Sequence, residues 1–111
     1  MVLIQFWATW CGFCRRDQPA VEQIVKRFGK DLTVLAVSVR EAKPVIREYL
    51  SQSPRSVTVV ATEDTNLPRI FQPRGFPTYL ALDKDGNIAG VKEGMAGVEG
   101  LEALIQRAGL K

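Results

Sequence analysis

The chain of 111 residues is predicted to form a single α/β domain, residues 1–111, with a mixed central sheet and helices on both faces. Two observations support this class. Strands and helices alternate along the first half of the chain, and a β-hairpin followed by one helix closes the second half. An apolar share of 46% against 24% charged residues is typical of a globular protein rather than a disordered one.

The first half of the chain carries the alternating pattern. Val2–Trp7 is a short β-branched and aromatic run, and Leu32–Val39 is almost continuously apolar, so both are predicted to be buried strands. Between them, apolar residues at helical spacing predict a helix over about Cys11–Phe28, which Gly29 ends. Pro19 should kink this helix, because proline lacks a backbone N–H.

The second half continues with shorter elements. In order, they are a helix around residues 45–50, a strand over Val57–Ala61, a short helical turn from Asn66 (as its cap) to Phe71, strands over Thr78–Leu82 and Ile88–Val91, and a helix over Val98–Ala108. The last two strands are joined through Asp83–Asn87, whose Asp-Gly pair is a strong hairpin signal. The order of elements is therefore β-α-β-α-β-(α)-β-β-α.

The composition excludes several classes of function, because the chain has two cysteines and no histidine. It lacks a Ser–His or Cys–His nucleophile pair, and two cysteines are too few for a four-ligand zinc or iron–sulfur site. A c-type haem needs histidine after the second cysteine, where Arg15 stands. A net charge of +3 spread along the chain does not indicate nucleic-acid binding. We therefore expect no cofactor, no metal and no nucleic acid.

The sequence contains neither an apolar run of the roughly 20 residues that a membrane helix needs nor a signal peptide. Its apolar run starts at Val2, directly after the first Met, which suggests that the natural N-terminus lies upstream. We accordingly expect membrane attachment, if there is any, only through a missing N-terminal anchor.

Cys11-Gly12-Phe13-Cys14 lies at the predicted junction of the first strand and the first helix. Backbone N–H groups at a helix start carry positive partial charge, which favours a thiolate at Cys11. Cys14 follows on the same side and within reach of a mixed disulfide. The pattern predicts Cys11 as the nucleophile and Cys14 as the resolving thiol. The alternatives are two small buried hydrophobic residues or half of a metal site between subunits.

Three groups of residues, Phe6–Cys14, Pro19 and Gly75–Thr78, resemble the thioredoxin superfamily, and within it the TlpA/ResA-like thiol-disulfide oxidoreductases. That subfamily continues after the second cysteine as Arg-x-Glu-x-Pro, and this chain has Arg-Arg-Asp-Gln-Pro over 15–19. The resemblance covers essentially the whole chain. It implies a thioredoxin-like fold, with Arg40–Ala61 as the subfamily's helix–strand insertion and with a truncated N-terminus.

The resemblance also implies roles for two residues outside the cysteine pair. Pro77 corresponds to the family's cis-proline, packed against the disulfide, where the backbone of Phe76 pairs with substrate chains. Asp17 stands where the family has a glutamate that moves a proton to or from the second cysteine. Aspartate is one methylene shorter, and the alternative is a solvated acid near a helix start.

Two positions depart from the family pattern, and several others are candidates for substrate binding. Gln5 stands where thioredoxins proper carry a buried aspartate, and Phe13 replaces the usual proline between the cysteines. The candidate substrate-binding residues are Trp10, Gly12, Phe13, Phe76 and Pro77. Trp10 and Phe13 are expected to be exposed on an apolar rim around the sulfurs, whereas Trp7 fits the rim or the core equally well. Arg15, Arg16 and Arg74 are expected to be ordinary solvated charges.

These observations predict a thiol-disulfide oxidoreductase that reduces protein disulfides, receives electrons from an upstream redox donor and is a monomer. The resemblance places it outside the bacterial cytoplasm, and the sequence leaves a cytoplasmic location open. One alternative is a non-catalytic module that binds peptides at the cis-proline face. The others are a disulfide oxidant of the same fold and a metal-bridged dimer.

Overall fold

A computed structural model describes residues 1–110; Lys111, the last residue of the predicted domain, lies outside the described residues. The elements are, in chain order, β1 (Val2–Trp7), α1 (Gly12–Phe28), β2 (Thr33–Ser38), α2 (Lys43–Gln52), β3 (Thr58–Val60), a 3₁₀ turn (Thr62–Asp64), α3 (Leu67–Phe71), β4 (Thr78–Leu82), β5 (Ile88–Glu93) and α4 (Gly97–Arg107). Every predicted element is present, and the 3₁₀ turn is an addition that the sequence pattern did not indicate.

The five strands form one sheet in the order β3-β2-β1-β4-β5. The central strand β1 runs parallel to β2, with Trp7 opposite Ser38, and antiparallel to β4, with Gln5 opposite Tyr79. The predicted mixed sheet is therefore confirmed. Because the first helix starts at the carboxyl end of β1, the cysteine pair lies at that end of the central strand.

Alternate residues of β1 point to opposite faces of the sheet, as in any strand. Leu3 and Trp7 belong to the larger apolar cluster, which includes buried residues of α1 and α4. Ile4 and Phe6 belong to a second cluster, against which Leu67 and Phe71 of α3 pack, and the Phe6 and Phe71 rings stack with centroids 5.3 Å apart. Helices thus cover both faces, as predicted.

Two details of the second half differ from the sequence prediction. Asn66 precedes α3, but its side chain makes no cap hydrogen bond; the hydroxyl of Thr65 accepts from the backbone N–H of Leu67 at 3.1 Å instead. Strand β5 extends to Glu93, past the predicted end at Val91. In the turn before it, the Asp83 carboxylate accepts the N–H groups of Asp85 and Asn87, each at 2.9 Å, which closes the hairpin.

Helix α1 continues without interruption through Pro19. Its buried side chains are Cys14, Asp17, Ala20, Val21 and Ile24, a stripe at helical spacing that faces the sheet. Asp17 is the one carboxylate in this stripe, so an ionisable group enters the interior directly behind the second cysteine. Within residues 1–110, none of the helices has the length and apolar character needed to cross a membrane.

Candidate active site

Cys11 is the N-cap residue of α1, and it is disulfide-bonded to Cys14 with the two Cα atoms 5.2 Å apart. The Cys11 sulfur accepts a hydrogen bond from the backbone N–H of Cys14 at 3.1 Å. The first helical turn contains no acidic residue that would oppose a negative charge there. In the reduced protein, the same N–H group and the helix dipole would stabilise a Cys11 thiolate.

The loop between β1 and α1 is held on both sides. The N–H of Cys11 donates to the carbonyl of Ala8 at 3.1 Å. The carboxylate of Glu41 accepts the backbone N–H of Thr9 at 2.9 Å and also its hydroxyl group. Glu41 follows β2, so a residue from the neighbouring strand connection fixes the loop that presents the cysteines. Preorganisation of this kind keeps the sulfur in place before a partner arrives.

Apolar side chains around the cysteines project into solvent although the cysteines themselves do not. Cys11 and Cys14 are each 4% exposed, whereas Trp10 is 67% and Phe13 57% exposed. The Trp10 ring meets the half-buried Phe76 ring edge to face, with centroids 5.8 Å apart. We name Trp10, Phe13 and Phe76 the aromatic rim. Its exposed members are as expected from the sequence.

The remaining predicted binding positions adjoin the aromatic rim. Gly12 is exposed, and a Cβ added to it would meet no atom within 4 Å, so the space above the first helical turn is open. The peptide bond between Phe76 and Pro77 is cis, as the resemblance implies, and Pro77 is buried. Trp7 is 2% exposed, which makes it part of the core rather than of the aromatic rim.

Asp17 is buried, with 1% exposure, so the alternative of a solvated acid is wrong. Its Oδ2 accepts the hydroxyl of Tyr79 at 2.6 Å and the backbone N–H of Ala96 at 2.9 Å. Its Oδ1 accepts the N–H of Gly97, also at 2.9 Å. A carboxylate from α1 therefore binds the N-terminus of α4, where the helix dipole favours negative charge.

The hydrogen bonds continue away from Asp17 under the central strands. The Gln5 amide donates to the Tyr79 hydroxyl at 3.1 Å, and Arg55 Nη1 donates to the Gln5 carbonyl oxygen at 2.8 Å. We name Arg55, Gln5, Tyr79 and Asp17 the buried row. Burial is the main cause that raises the pKa of Tyr79 above its ordinary value, and the bonded Asp17 adds to it. Burial likewise lowers the pKa of Arg55, against an opposing contribution from Glu22.

A cavity of about 640 Å³ lies at the carboxyl end of β2, where Val39 and Arg40 line it. Its lining contains two arginines, Arg40 and Arg69, and no acidic residue. The wall formed by Gln72 and Pro73 leads along the chain into the cis-proline loop. Within residues 1–110, no group of three or more histidine, cysteine, aspartate or glutamate side chains is placed to hold a metal ion.

Sequence reasoning missed Tyr79, Arg55 and Glu41. One signal existed for Tyr79: a tyrosine within a buried strand needs a hydrogen-bond partner for its hydroxyl, and Asp17 is a carboxylate already identified as a candidate site residue. Arg55 and Glu41 lie in connections between elements, and no periodic pattern marks such positions.

Comparison with known proteins is consistent with this geometry. The Thioredoxin family model matches residues 1–54. The chain is 32% identical over 103 residues to the thioredoxin-like protein YneN of Bacillus subtilis, covering 84% of this chain and 56% of that protein. It is 23% identical over 107 residues to the thiol-disulfide oxidoreductase ResA of Bacillus cereus, covering 96% of this chain and 62% of ResA.

Solved structures share the fold. A thiol:disulfide interchange protein of the thioredoxin family from Chlorobium tepidum superimposes with a TM-score of 0.80 at 26% identity, covering 96% of this chain and 78% of that one. The chain thus spans less than two thirds of the length of the two curated relatives, YneN and ResA, but most of this solved domain.

Proposed function

We propose that the chain is a thiol-disulfide oxidoreductase of the thioredoxin superfamily that reduces disulfide bonds of protein partners. The observation that carries the proposal is the position of Cys11 as N-cap of α1, bonded to Cys14 and accepting the Cys14 N–H at its sulfur. A pair of inert buried thiols needs no such placement.

In the proposed reaction the reduced protein supplies two electrons. The Cys11 thiolate attacks a partner disulfide, which forms a mixed disulfide and releases one partner thiolate. Cys14 then attacks the Cys11 sulfur, so that the Cys11–Cys14 disulfide forms and the second partner thiolate leaves. A dithiol donor upstream returns the pair to its reduced form by the same exchange in reverse. No bound cofactor or metal is needed for these steps.

Cys14 has to lose a proton before it attacks, and we assign the acceptor role to Asp17. The two residues are three positions apart on the buried side of α1, hence neighbours on one helix face. Oδ2 of Asp17 accepts from two donors and Oδ1 accepts from one. A carboxylate oxygen has two lone pairs, so Oδ1 keeps one acceptor position for a proton that comes from Cys14.

The aromatic rim is the proposed contact surface for the partner chain. The cysteines are almost fully buried, so a partner disulfide has to approach across the residues that remain exposed around them, Trp10, Gly12 and Phe13. Exposed aromatic side chains are enriched where proteins bind one another. Phe76 meets Trp10 edge to face and so brings the cis-proline loop, with Pro77, to this surface.

The experiment that tests the proposal is covalent trapping. Cys14→Ser should accumulate mixed disulfides with protein partners, because Cys11 still attacks and nothing resolves the product; Cys11→Ser should accumulate none. The assay is non-reducing electrophoresis, together with insulin reduction by the wild-type chain. Equal trapping by both variants, or insulin reduction unchanged in Cys11→Ser, would contradict the assignment.

The direction, the location and the oligomeric state follow as parts of the same proposal. Redox titration of the Cys11–Cys14 pair against glutathione should give a potential on the reducing side of the glutathione couple if the chain acts as a reductant. A potential well above it would identify an oxidant of the same fold. We place the protein outside the bacterial cytoplasm, to be tested by fractionation, and as a monomer, to be tested by sedimentation.

A further inference from the structure

We propose that Tyr79 is a positioning residue for Asp17, and that Gln5 and Arg55 orient Tyr79, so that the buried row fixes a negative charge behind Cys14. The inference rests on the proposed function only in that the fixed charge acts on the resolving thiol. It concerns three residues, Tyr79, Gln5 and Arg55, that lie away from the reacting sulfurs and act through Asp17.

The donor and the acceptor of each hydrogen bond in the buried row follow from the groups at the two ends of the row, Arg55 and Asp17. A guanidinium group has donors and no acceptor, so the Gln5 atom that Arg55 contacts at 2.8 Å is the amide oxygen. The amide nitrogen of Gln5 then points at the Tyr79 oxygen, 3.1 Å away, and donates to it. Arg55 thereby decides which way the Gln5 amide faces.

The Tyr79 hydroxyl has a single proton. Because its oxygen accepts from Gln5, that proton is directed to Asp17 Oδ2 at 2.6 Å. The N–H groups of Ala96 and Gly97 hold the two carboxylate oxygens from the α4 side. Donors on both oxygens prevent rotation of the carboxylate, so its charge stays at one place relative to Cys14.

The ionisable groups around the buried row come from several elements. Glu22 of α1, Tyr49 of α2 and Tyr79 of β4 interact electrostatically with Arg55, which precedes β3. The contacts of α4 with Asp17 are backbone N–H groups, which do not titrate. Arg15 and Arg16 follow Cys14 directly on α1 but are exposed to solvent. Asp17 is the buried ionisable side chain on the same face of α1 as Cys14, and the Tyr79 hydroxyl dipole partly offsets its charge.

The test is the pH profile of Cys14 alkylation by iodoacetamide, measured in the 111-residue Cys11→Ser protein. Tyr79→Phe removes the dipole that offsets the Asp17 carboxylate, so the Cys14 thiolate is repelled more strongly. The pH midpoint of Cys14 alkylation should then rise by about half a unit, which lowers the thiolate fraction below the midpoint roughly threefold. Asp17→Asn removes the charge and should lower the midpoint. In the Asp17→Asn background, Tyr79→Phe should have no effect.

Tyr49→Phe is the matched control, because it deletes the same atom from a tyrosine that packs on Trp7 and has no hydrogen bond to Asp17. Its midpoint should equal that of the parent protein. Gln5→Leu provides a second variant in case Tyr79→Phe does not fold; it frees the Tyr79 hydroxyl to turn away from Asp17 and should raise the midpoint to a smaller extent.

Midpoints of Tyr79→Phe and Gln5→Leu equal to the parent value, with only the unfolding transition changed, would overturn the proposal in favour of a purely structural tie. A Tyr79→Phe shift that persists in the Asp17→Asn background would overturn it too. Alkylation reports on Cys14 alone. A failure of the proposed oxidoreductase function would instead show as a wild-type chain that does not reduce insulin.

Discussion

The two flanks of the Cys11–Cys14 pair reverse the usual distribution of polar and apolar side chains. Behind the pair, the buried row places a carboxylate, a hydroxyl and an amide inside the domain. In front of it, the aromatic rim exposes Trp10 and Phe13 to solvent. A buried polar group and an exposed large apolar patch are the observations that inform most about function, since ordinary packing favours neither.

The two flanks differ in the property that a substitution there should change. Both carboxylate oxygens of Asp17 have hydrogen-bond donors, so removing the carboxylate leaves those donors without an acceptor. Trp10 and Phe13 on the exposed flank contribute little to the fold, because more than half of each residue's surface is exposed to water. Substitutions behind the cysteines should therefore change the free energy of unfolding, and substitutions in front should change reactions with partners.

The largest expected effect is that of Asp17→Leu. The change leaves the buried Tyr79 hydroxyl and the half-buried N–H groups of Ala96 and Gly97 without their acceptor, so we expect the free energy of unfolding to fall by about 3 kcal/mol. Urea denaturation of the oxidised protein measures it. Phe13→Leu, the same side chain introduced on the exposed flank, is the control and should change stability by less than about 0.5 kcal/mol. Equal losses of unfolding free energy in the two variants would contradict the expected difference between the flanks.

The second expected effect is at alkaline pH. The pKa of Tyr79 is raised in the folded protein, whereas a tyrosine in the unfolded chain titrates near pH 10. Above that pH the unfolded chain therefore binds fewer protons than the folded protein. The stability that the protonated Tyr79 contributes is fully present below that pH and falls as the pH rises. We expect wild type to lose about 1.4 kcal/mol per pH unit more than Tyr79→Phe above about pH 10. The same pH dependence of the free energy of unfolding in the two proteins would count against a buried, protonated Tyr79.

The third expected effect concerns the exposed flank. Trp10→Ala and Phe13→Ala should each lower kcat/KM for reduction of a protein disulfide about tenfold, while reduction of a small aromatic disulfide stays within about twofold. Ile88→Ala is the control, since Ile88 is a comparably exposed apolar residue (62%) on β5. If the small and the protein disulfide respond equally, the aromatic rim acts on the cysteines themselves rather than on the partner.

The smallest expected effect is that of Gly12→Ala. An added Cβ meets no atom within 4 Å, so the free energy of unfolding should change by no more than about 0.5 kcal/mol. The methyl group occupies space over which a partner chain has to pass, and protein disulfide reduction should slow about twofold while small disulfides are unaffected. A large loss of stability would show that the space above α1 is filled.

The sequence predicted most of the fold because periodic apolar residues report burial directly. The β-branched and aromatic run Val2–Trp7 and the helical stripe of α1 predicted the central strand and its helix at nearly their observed bounds. The 3₁₀ turn Thr62–Asp64 and the end of β5 were not predicted, because short or exposed segments carry no such period.

In the candidate site, too, some features could be predicted from a local sequence pattern and others could not. The cysteines follow a predicted strand and begin a predicted helix, in the segment Trp10-Cys11-Gly12-Phe13-Cys14. Both elements are predicted from neighbouring residues, so the position of the sulfurs at the start of α1 could be predicted from the sequence. The sequence by itself therefore determined the fold class, the position of the cysteine pair and the exposure of its aromatic neighbours.

Only the tertiary structure decided what Asp17 does. Its partners Tyr79, Ala96 and Gly97 lie 62 to 80 positions further along the chain. Hydrogen bonds over such separations depend on the register of β1 against β4 and on where α4 begins, and a local pattern contains neither. The same packing excluded the alternative of a solvated acid, because three hydrogen-bond donors meet the Asp17 carboxylate in the interior.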